Sequence, residues 1–145
     1  MKSSCGFTLI EIMVVLVILG LLATIVIANV VHQVEKARIT RAKLDIENFK
    51  SALHAFKQDN GFYPSTQQTI EALRKKPEVG RIPANWQEGG YLKADSIPVD
   101  PWGFPYLYIS PGIHSKDFDI MSLGSDNMEG GNGSASDIVS WNLEE

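Results

Sequence analysis

The feature that most constrains this chain is a run of apolar residues near its N-terminus, residues 7–31, in which Glu11 is the only charged side chain. A helix rises about 1.5 Å per residue, so roughly 20 residues cross a hydrocarbon layer of ~30 Å. The run therefore predicts a membrane-spanning helix. A carboxylate at mid-bilayer costs on the order of 2.5–3.5 kcal/mol on insertion scales. Glu11 therefore needs either a charged partner or a hydrated position at headgroup level.

The composition of the 145-residue chain excludes several classes of function. The formal net charge is −4, and no cluster of Lys and Arg with interleaved aromatics predicts a nucleic-acid-binding surface. Cys5 is the single cysteine, so an intramolecular disulfide is impossible. A membrane-anchored enzyme is the alternative from another class. The histidines His32, His54 and His114 are scattered and have no nucleophile constellation beside them, so we predict that the chain is not an enzyme.

Beyond residue 31 the helical pattern continues with one apolar face. Its apolar residues are spaced three and four apart, as on one face of a helix: Ile39, Ala42, Ile46, Phe49, Leu53 and Phe56. Asn60-Gly61 and Pro64 are typical of a helix end. We therefore expect one helix from about Phe7 to about Gln58, whose second half needs a cover from the rest of the chain.

Shorter elements follow. Residues 66–73 predict a short helix with Ser65 or Thr66 as its N-cap. Residues 105–110 and 118–122 predict two short strands of an antiparallel sheet. We expect three side chains of the intervening loop to cover the apolar face of the helix: Trp86, Tyr91 and Leu92.

The first residues carry a resemblance to a known family. The motif Gly6-Phe7-Thr8-Leu9-Ile10-Glu11, after a short leader, resembles the class III signal of type IV pilin-like proteins. The resemblance implies that a prepilin peptidase removes residues 1–6 by cutting between Gly6 and Phe7. It also implies methylation of the new N-terminal Phe7. In a filament, Glu11 would pair with the N-terminal amine of Phe7 in a neighbouring subunit.

Further motifs extend the resemblance over almost the whole chain. DNGFYPS, Asp-Pro-Trp-Gly at residues 100–103 and Ser-Leu-Gly-Ser-Asp at residues 122–126 resemble the major pseudopilin of type II secretion systems. The resemblance implies a structural subunit that polymerises through residues 7–31 and drives folded proteins across the outer membrane. Its implied partners are copies of itself, minor pseudopilins and an inner-membrane assembly platform. The alternative is a major or minor pilin of a type IV pilus, used in adhesion, motility or DNA uptake.

Residues 122–138 form an acidic, glycine-rich segment with few core residues. Carboxylates and carbonyls on a flexible loop are the hard oxygen ligands that Ca²⁺ prefers, but the spacing fits neither an EF-hand nor the glycine-rich calcium repeat. A solvated loop is the alternative, whereas the resemblance implies calcium binding. The implied ligands are the carboxylates of Asp126 and Asp137 and the carbonyls of Leu123 and Met128, with Ser125 as a further candidate.

These predictions combine into an α+β fold. A long N-terminal helix, transmembrane in its first half and amphipathic in its second, packs on a small antiparallel sheet with a C-terminal calcium loop. The expected divisions are a leader at residues 1–6, an anchor helix at residues 7–31 and a periplasmic domain at residues 32–145. The anchor would be single-pass in the inner membrane, and the assembled filament would lie in the periplasm.

Overall fold

A computed structural model of the chain describes residues 6–93 and 96–143, and within that range it leaves out the side chains of residues 23–29. The chain divides into two compact units, one that ends at Lys36 and one that begins at Ala37. Residues 1–5, most of the predicted leader, lie outside the described residues, and so does Cys5.

The first element is the helix α1, Leu9–Asn60, which is 52 residues long. The predicted helix is confirmed with both ends displaced by two residues. All side chains from Gly6 to Leu22 are exposed in the single chain. The predicted membrane span includes residues 23–29, whose side chains lie outside the described part. Over residues 6–93 and 96–143, no helix is long and apolar enough to cross a membrane.

The second half of α1 supplies the centre of the core. The predicted apolar face is buried, and Ile39 is partly buried at its edge; the buried members are Ala42, Ile46, Phe49, Leu53 and Phe56. The aromatic and aliphatic cover predicted from the loop is also confirmed, since three of its side chains pack on this core: Trp86, Tyr91 and Leu92. The helical repeat of the apolar residues, near 3.6, thus predicts correctly which residues of α1 are buried in the core.

The helix predicted over residues 66–73 is wrong in its first half. The structure has only a 3-10 helix, Ile70–Leu73, and its N-cap is Thr69 with φ of 54°. The reason is the buried Gln68, whose Oε1 accepts from the N–H of Ser65 at 3.0 Å. Its Nε2 donates to the carbonyls of Val79 and Arg81 at 2.7 and 2.9 Å. These long-range bonds hold the preceding residues in turns and override local helix propensity.

The described sheet has three antiparallel strands in the order β1-β2-β3. They are β1, Leu107–Ile109; β2, Asp119–Ser122; and β3, Ile138–Val139. The first two were predicted, although both are shorter than expected. The third was not predicted, because a two-residue strand after a glycine-rich segment has no visible alternation. Tyr108 pairs with Ile120, and Ser122 pairs with Ile138, so β2 is central.

Candidate functional site

The start of α1 is closed by a reciprocal pair of hydrogen bonds between Thr8 and Glu11. The Glu11 N–H donates to Thr8 Oγ1 at 3.3 Å, and the Thr8 N–H donates to Glu11 Oε2 at 3.5 Å. This arrangement is a capping box, which satisfies N–H groups that a helix end leaves without partners. Thr8 was named only as part of the processing motif, although the spacing Thr-x-x-Glu at a helix start indicates this cap.

The residues of the predicted processing site lie just before this cap. Gly6, Phe7 and Glu11 are all exposed in the single chain. Gly6 has no heavy atom within 4 Å of the position that a Cβ would occupy. The predicted cleavage point is therefore sterically open among the described residues.

The first turns of α1 carry a continuous apolar surface. The large hydrophobic side chains from Leu9 to Leu22 are between 46% and 78% exposed. Soluble monomers rarely expose contiguous apolar patches larger than a few hundred Å². This surface is therefore suited to contact with lipid or with other protein chains.

The acidic, glycine-rich segment connects two neighbouring strands. Ser122 and Ile138 form the last register pair of β2 and β3, so Leu123 and Asp137 come next on the two sides of the loop. Two 3-10 helices follow within the loop, Gly124–Asp126 and Gly133–Ala135. The sheet thus brings the first and last candidate ligands to the same end of β2, an arrangement that the sequence did not reveal because β3 was not predicted.

The two candidate carboxylates differ in their surroundings. Asp126 Oδ1 accepts from the Met128 N–H at 3.1 Å, and both residues are exposed. Asp137 Oδ2 accepts from the Gly130 N–H at 2.9 Å. Asp137 Oδ1 is buried and has no hydrogen-bond partner among the described residues. A buried carboxylate oxygen without a partner is strongly disfavoured, so this atom is the observation that best fits a cation bound in the loop.

The other candidate ligands complete an oxygen-rich set. Leu123 precedes the first 3-10 helix and is half-buried, and Ser125 Oγ lies 3.4 Å from Ser134 Oγ. Within the described part of the chain, no group of three or more His, Cys, Asp or Glu side chains is placed to hold a metal ion. A cation here would therefore rely on two carboxylates together with backbone and hydroxyl oxygens, which is donor chemistry that Ca²⁺ accepts.

The Asp-Pro-Trp-Gly turn is hydrogen-bonded to the first residue of the loop. Asp100 is only 3% exposed, and its Oδ1 accepts from the N–H groups of Trp102 and Phe104 at 3.1 and 2.8 Å. Its Oδ2 accepts from the Ser122 hydroxyl at 2.6 Å. Ser122 Oγ in turn accepts a hydrogen bond from the Gly124 N–H at 3.3 Å. Both motifs are visible in the sequence, but nothing in the sequence indicates that they touch.

A second buried carboxylate organises the hairpin between β1 and β2. Asp119 accepts from the N–H groups of Ile113, His114 and Ser115 and from the Ser115 hydroxyl, at 2.7 to 3.0 Å. Burial raises the pKa of Asp119, but the hydrogen bonds from His114, Ser115 and Ile113 outweigh it and lower the pKa to about 2. The His114 ring stacks on Trp141 with 3.9 Å between centroids. This cluster is structural, because its polar atoms are directed at one another.

The comparisons with known proteins agree over nearly the whole chain. The family model "Type II secretion system (T2SS), protein G" matches residues 29–141. The model "Prokaryotic N-terminal methylation motif" matches residues 1–27. The two matches adjoin within α1 without overlapping, and together they include both the processing motif and the glycine-rich loop.

Curated relatives and a solved structure are similar at high coverage. The type II secretion system core protein G of Pseudomonas aeruginosa is 51% identical over 140 residues, which are 97% of this chain and 96% of that protein. The protein of the same name from Vibrio cholerae is 46% identical over 145 residues, 100% of this chain and 97% of its own length. The crystal structure of the major pseudopilin from the type 2 secretion system of enterohaemorrhagic Escherichia coli is 34% identical. It has a TM-score of 0.66 and covers 78% of this chain and 94% of that one.

Proposed function

Because this chain belongs to the protein G family of the type II secretion system, we propose that it is the repeating subunit of a secretion pseudopilus. The family is one of structural pseudopilin subunits, so the prediction that the chain is not an enzyme is confirmed. Many copies would polymerise into a filament that drives folded proteins across the outer membrane. The relatives reported above are secretion-system proteins, which favours this role over that of a type IV pilin.

The exposed apolar surface of α1, from Leu9 to Leu22, carries this proposal. In the subunit before assembly it would be immersed in the inner membrane, with the domain from residue 32 onward in the periplasm. In the filament the same surface would pack against α1 of neighbouring copies. Apolar surface costs about 25 cal/mol per Å² when it is exposed to water, so a copy that leaves the lipid needs these helix–helix contacts to cover it.

The proposed maturation takes place at Gly6 and Phe7. A prepilin peptidase cuts between them and the new N-terminus of Phe7 is methylated; the match of residues 1–27 to a methylation motif supports both steps. The cut leaves α1 intact, because the helix begins at Leu9. Later partners would be minor pseudopilins and an assembly platform in the inner membrane.

The proposed role of Glu11 is to pair with the amine of Phe7 in a neighbouring copy. An unpaired charge in an apolar interior is strongly destabilising, whereas a paired and hydrogen-bonded charge is tolerated. The carboxylate would therefore penalise any register of subunits that leaves it without an amine. In the single chain its Oε2 already accepts one hydrogen bond, from the Thr8 N–H.

The capping box allows the charge of Glu11 to be tested separately from its helix-capping role. Gln serves at the same position of a capping box, so Glu11→Gln retains the cap and removes the charge. Thr8→Ala removes the cap acceptor and retains the charge. In cells that make the secretion machinery, we expect Glu11→Gln to abolish sheared filaments and cargo secretion, and Thr8→Ala to keep both.

Two outcomes of this experiment contradict the proposal at different levels. If Glu11→Gln assembles as well as the wild type, the charge pairing is wrong while the filament role stands. If the wild-type chain complements neither filament formation nor secretion in a strain that lacks its own major pseudopilin, the proposed function itself is wrong.

We also propose that the loop after β2 binds Ca²⁺. The carboxylates of Asp126 and Asp137 would hold the ion together with the carbonyls of Leu123 and Met128, and Ser125 is a further candidate. The buried Asp137 Oδ1, which has no partner among the described residues, supports this assignment. The ion would supply the positive charge that links the two halves of a loop without a disulfide, whose ordering otherwise costs entropy.

Thermal unfolding of the full chain in detergent micelles tests the calcium proposal. A ligand that binds only the folded state stabilises by about 2.7 kcal/mol at a free concentration of 100 times its Kd. We expect millimolar Ca²⁺ to raise the unfolding midpoint above its value in chelator, and Asp126→Asn and Asp137→Asn to lose that rise. Glu129→Gln, a matched change of an exposed acid in the same loop, should keep it. Equal midpoints of the wild type with calcium and with chelator would remove the site.

A further inference from the structure

The loop is joined to the Asp-Pro-Trp-Gly turn through one buried hydroxyl. Ser122 has no exposed surface, and its Oγ donates to Asp100 Oδ2 at 2.6 Å. The Asp100 side chain is itself fixed, because its Oδ1 accepts hydrogen bonds from two backbone N–H groups of its own turn. With its proton committed to Asp100, the Ser122 oxygen presents its lone pairs to another donor, and that donor is the Gly124 N–H at 3.3 Å.

The Gly124 N–H and the Leu123 carbonyl belong to the same peptide group. A trans peptide is planar, and its N–H and C=O point in opposite directions. The hydrogen bond from Gly124 to Ser122 therefore also sets the direction of the Leu123 oxygen. That oxygen is one of the proposed calcium ligands.

Gly124 also lies against the far half of the loop. Its φ is +67°, and a Cβ there would come within 2.9 Å of the carbonyl oxygens of Ser134 and Ser136. Only glycine can adopt this conformation without strain and allow so close an approach. The residue that follows Ser136 is Asp137, so the peptide fixed by Ser122 contacts the segment that carries the second carboxylate.

We propose that Asp100 and Ser122 are positioning residues for the calcium loop, which hold the Leu123–Gly124 peptide in its ligating orientation before the ion binds. This inference rests on the proposed function, since it assumes that the Leu123 carbonyl is a ligand. The Asp-Pro-Trp-Gly turn would then hold the start of the calcium loop in position through Asp100.

The test compares full-length Ser122→Ala with the wild type in detergent micelles. Calcium affinity is measured by titration calorimetry, and amide hydrogen exchange at Gly124 is measured in chelator. Loss of a residue that orients a metal ligand typically weakens affinity by about 10–100-fold, and we expect at least tenfold here. We also expect faster exchange at Gly124 without calcium, because its N–H has lost its acceptor.

The chain offers a matched control in Ser115→Ala. The Ser115 hydroxyl donates to Asp119 Oδ1 at 2.9 Å, and Asp119 is only 1% exposed, so this change also removes a serine hydroxyl from a buried carboxylate. Ser115 lies outside the loop. We expect a loss of thermal stability in chelator similar to that of Ser122→Ala, with calcium affinity unchanged.

Asp100→Asn is the second variant, in case Ser122→Ala folds poorly. The asparagine amide can keep Oδ1 as the acceptor for the backbone of the turn. Its NH₂ group replaces Oδ2, so the Ser122 hydroxyl loses its acceptor. We expect calcium affinity to fall in the same direction as in Ser122→Ala.

The possible results separate this inference from the calcium proposal. If the wild type binds calcium, and Ser122→Ala and Asp100→Asn both bind it as tightly as the wild type, the inference is overturned and the calcium site stands. Equal losses in Ser122→Ala and Ser115→Ala also overturn it, because the effect is then one of general stability. A wild-type chain that binds no calcium overturns the site and, with it, the inference.

Discussion

The hydroxyl of Tyr106 donates a hydrogen bond to the Asp45 carboxylate on α1, 3.1 Å away, and thereby ties the chain just before β1 to the long helix. The Tyr106 ring also meets Phe49 edge-on, with 5.1 Å between centroids. Burial, reinforced by the negative charge of Asp45, raises the pKa of Tyr106 well above its ordinary value, so the hydroxyl remains a donor across the accessible pH range.

Tyr106→Phe should therefore remove one hydrogen bond and keep the ring contact. We expect the free energy of unfolding to fall by about 1 kcal/mol, the usual net value of one such bond. Denaturant unfolding of the full chain in micelles measures it. Tyr106→Ala, which also loses the ring, should cost about 3–5 kcal/mol by analogy with large-to-small core changes. Equal losses for the two variants would show that the hydroxyl, and not the ring, dominates.

Asp119 should make the fold sensitive to acid. Its pKa is about 2 when folded, against 3.8 ordinarily, so its contribution is fully present above pH 4 and is lost as the pH falls towards 2. At 1.36 kcal/mol per pKa unit, the contribution is about 2 kcal/mol. Asp119→Asn should flatten the stability profile between pH 4 and pH 2, measured by thermal unfolding. Ser115→Ala removes one donor and should give an intermediate slope. A slope in Asp119→Asn equal to that of the wild type would assign the acid sensitivity elsewhere.

Tyr91 should control the stability of the C-terminal end of α1. Its hydroxyl donates to Asp59 Oδ2 at 3.0 Å and accepts from Asn60 Nδ2 at 3.0 Å and from the Gln87 N–H at 3.2 Å. Tyr91→Phe leaves these groups with fewer partners, so we expect a loss of about 1–3 kcal/mol. Amide exchange should become faster at residues 59–61. Tyr106→Phe is the control for location and should leave exchange at that end unchanged; uniform acceleration in both variants would contradict a local role.

The indole of Trp86 should hold the short 3-10 helix against the loop. Its Nε1–H donates to the Ala72 carbonyl at 2.9 Å. Trp86→Phe removes this donor and part of the packed ring, and we expect a lower unfolding midpoint with a loss of about 1–3 kcal/mol. The proposed calcium binding should be unchanged from that of the wild type, because the contact lies outside residues 122–138. A variant that loses calcium affinity as well would show that the two regions are coupled.

The parts of the fold that could be predicted are those with a visible period. The face of α1 from Ala42 to Phe56 follows the helical repeat and is buried as expected. The strands around Tyr108 and Ile120 have enough alternating residues to be recognised. The two-residue β3 has no period, and the turn at Gln68 depends on carbonyls 11 and 13 residues away. Neither feature has a local signal.

The candidate ligands were named one by one from the resemblance, and their arrangement in space had no signal in the sequence. The resemblance supplied Asp126 and Asp137, and the pairing of Ser122 with Ile138 brings the two ends of their loop together. The link from Asp100 to Ser122 spans 22 positions and appears only in the folded chain. Thr8 is the opposite case, because the capping spacing Thr-x-x-Glu is present in the sequence itself.

The described strands are too short to offer much backbone for pairing between neighbouring molecules. A sheet edge exposes unpaired N–H and C=O groups that can template a strand from another molecule, and very short edges blunt that hazard. Here the two edge strands, Leu107–Ile109 and Ile138–Val139, are three and two residues long. Domains held at high local concentration along the proposed filament would thus expose few backbone groups for edge-to-edge strand pairing. Assembly would then remain reversible, because no strand pairing between copies would have to be broken.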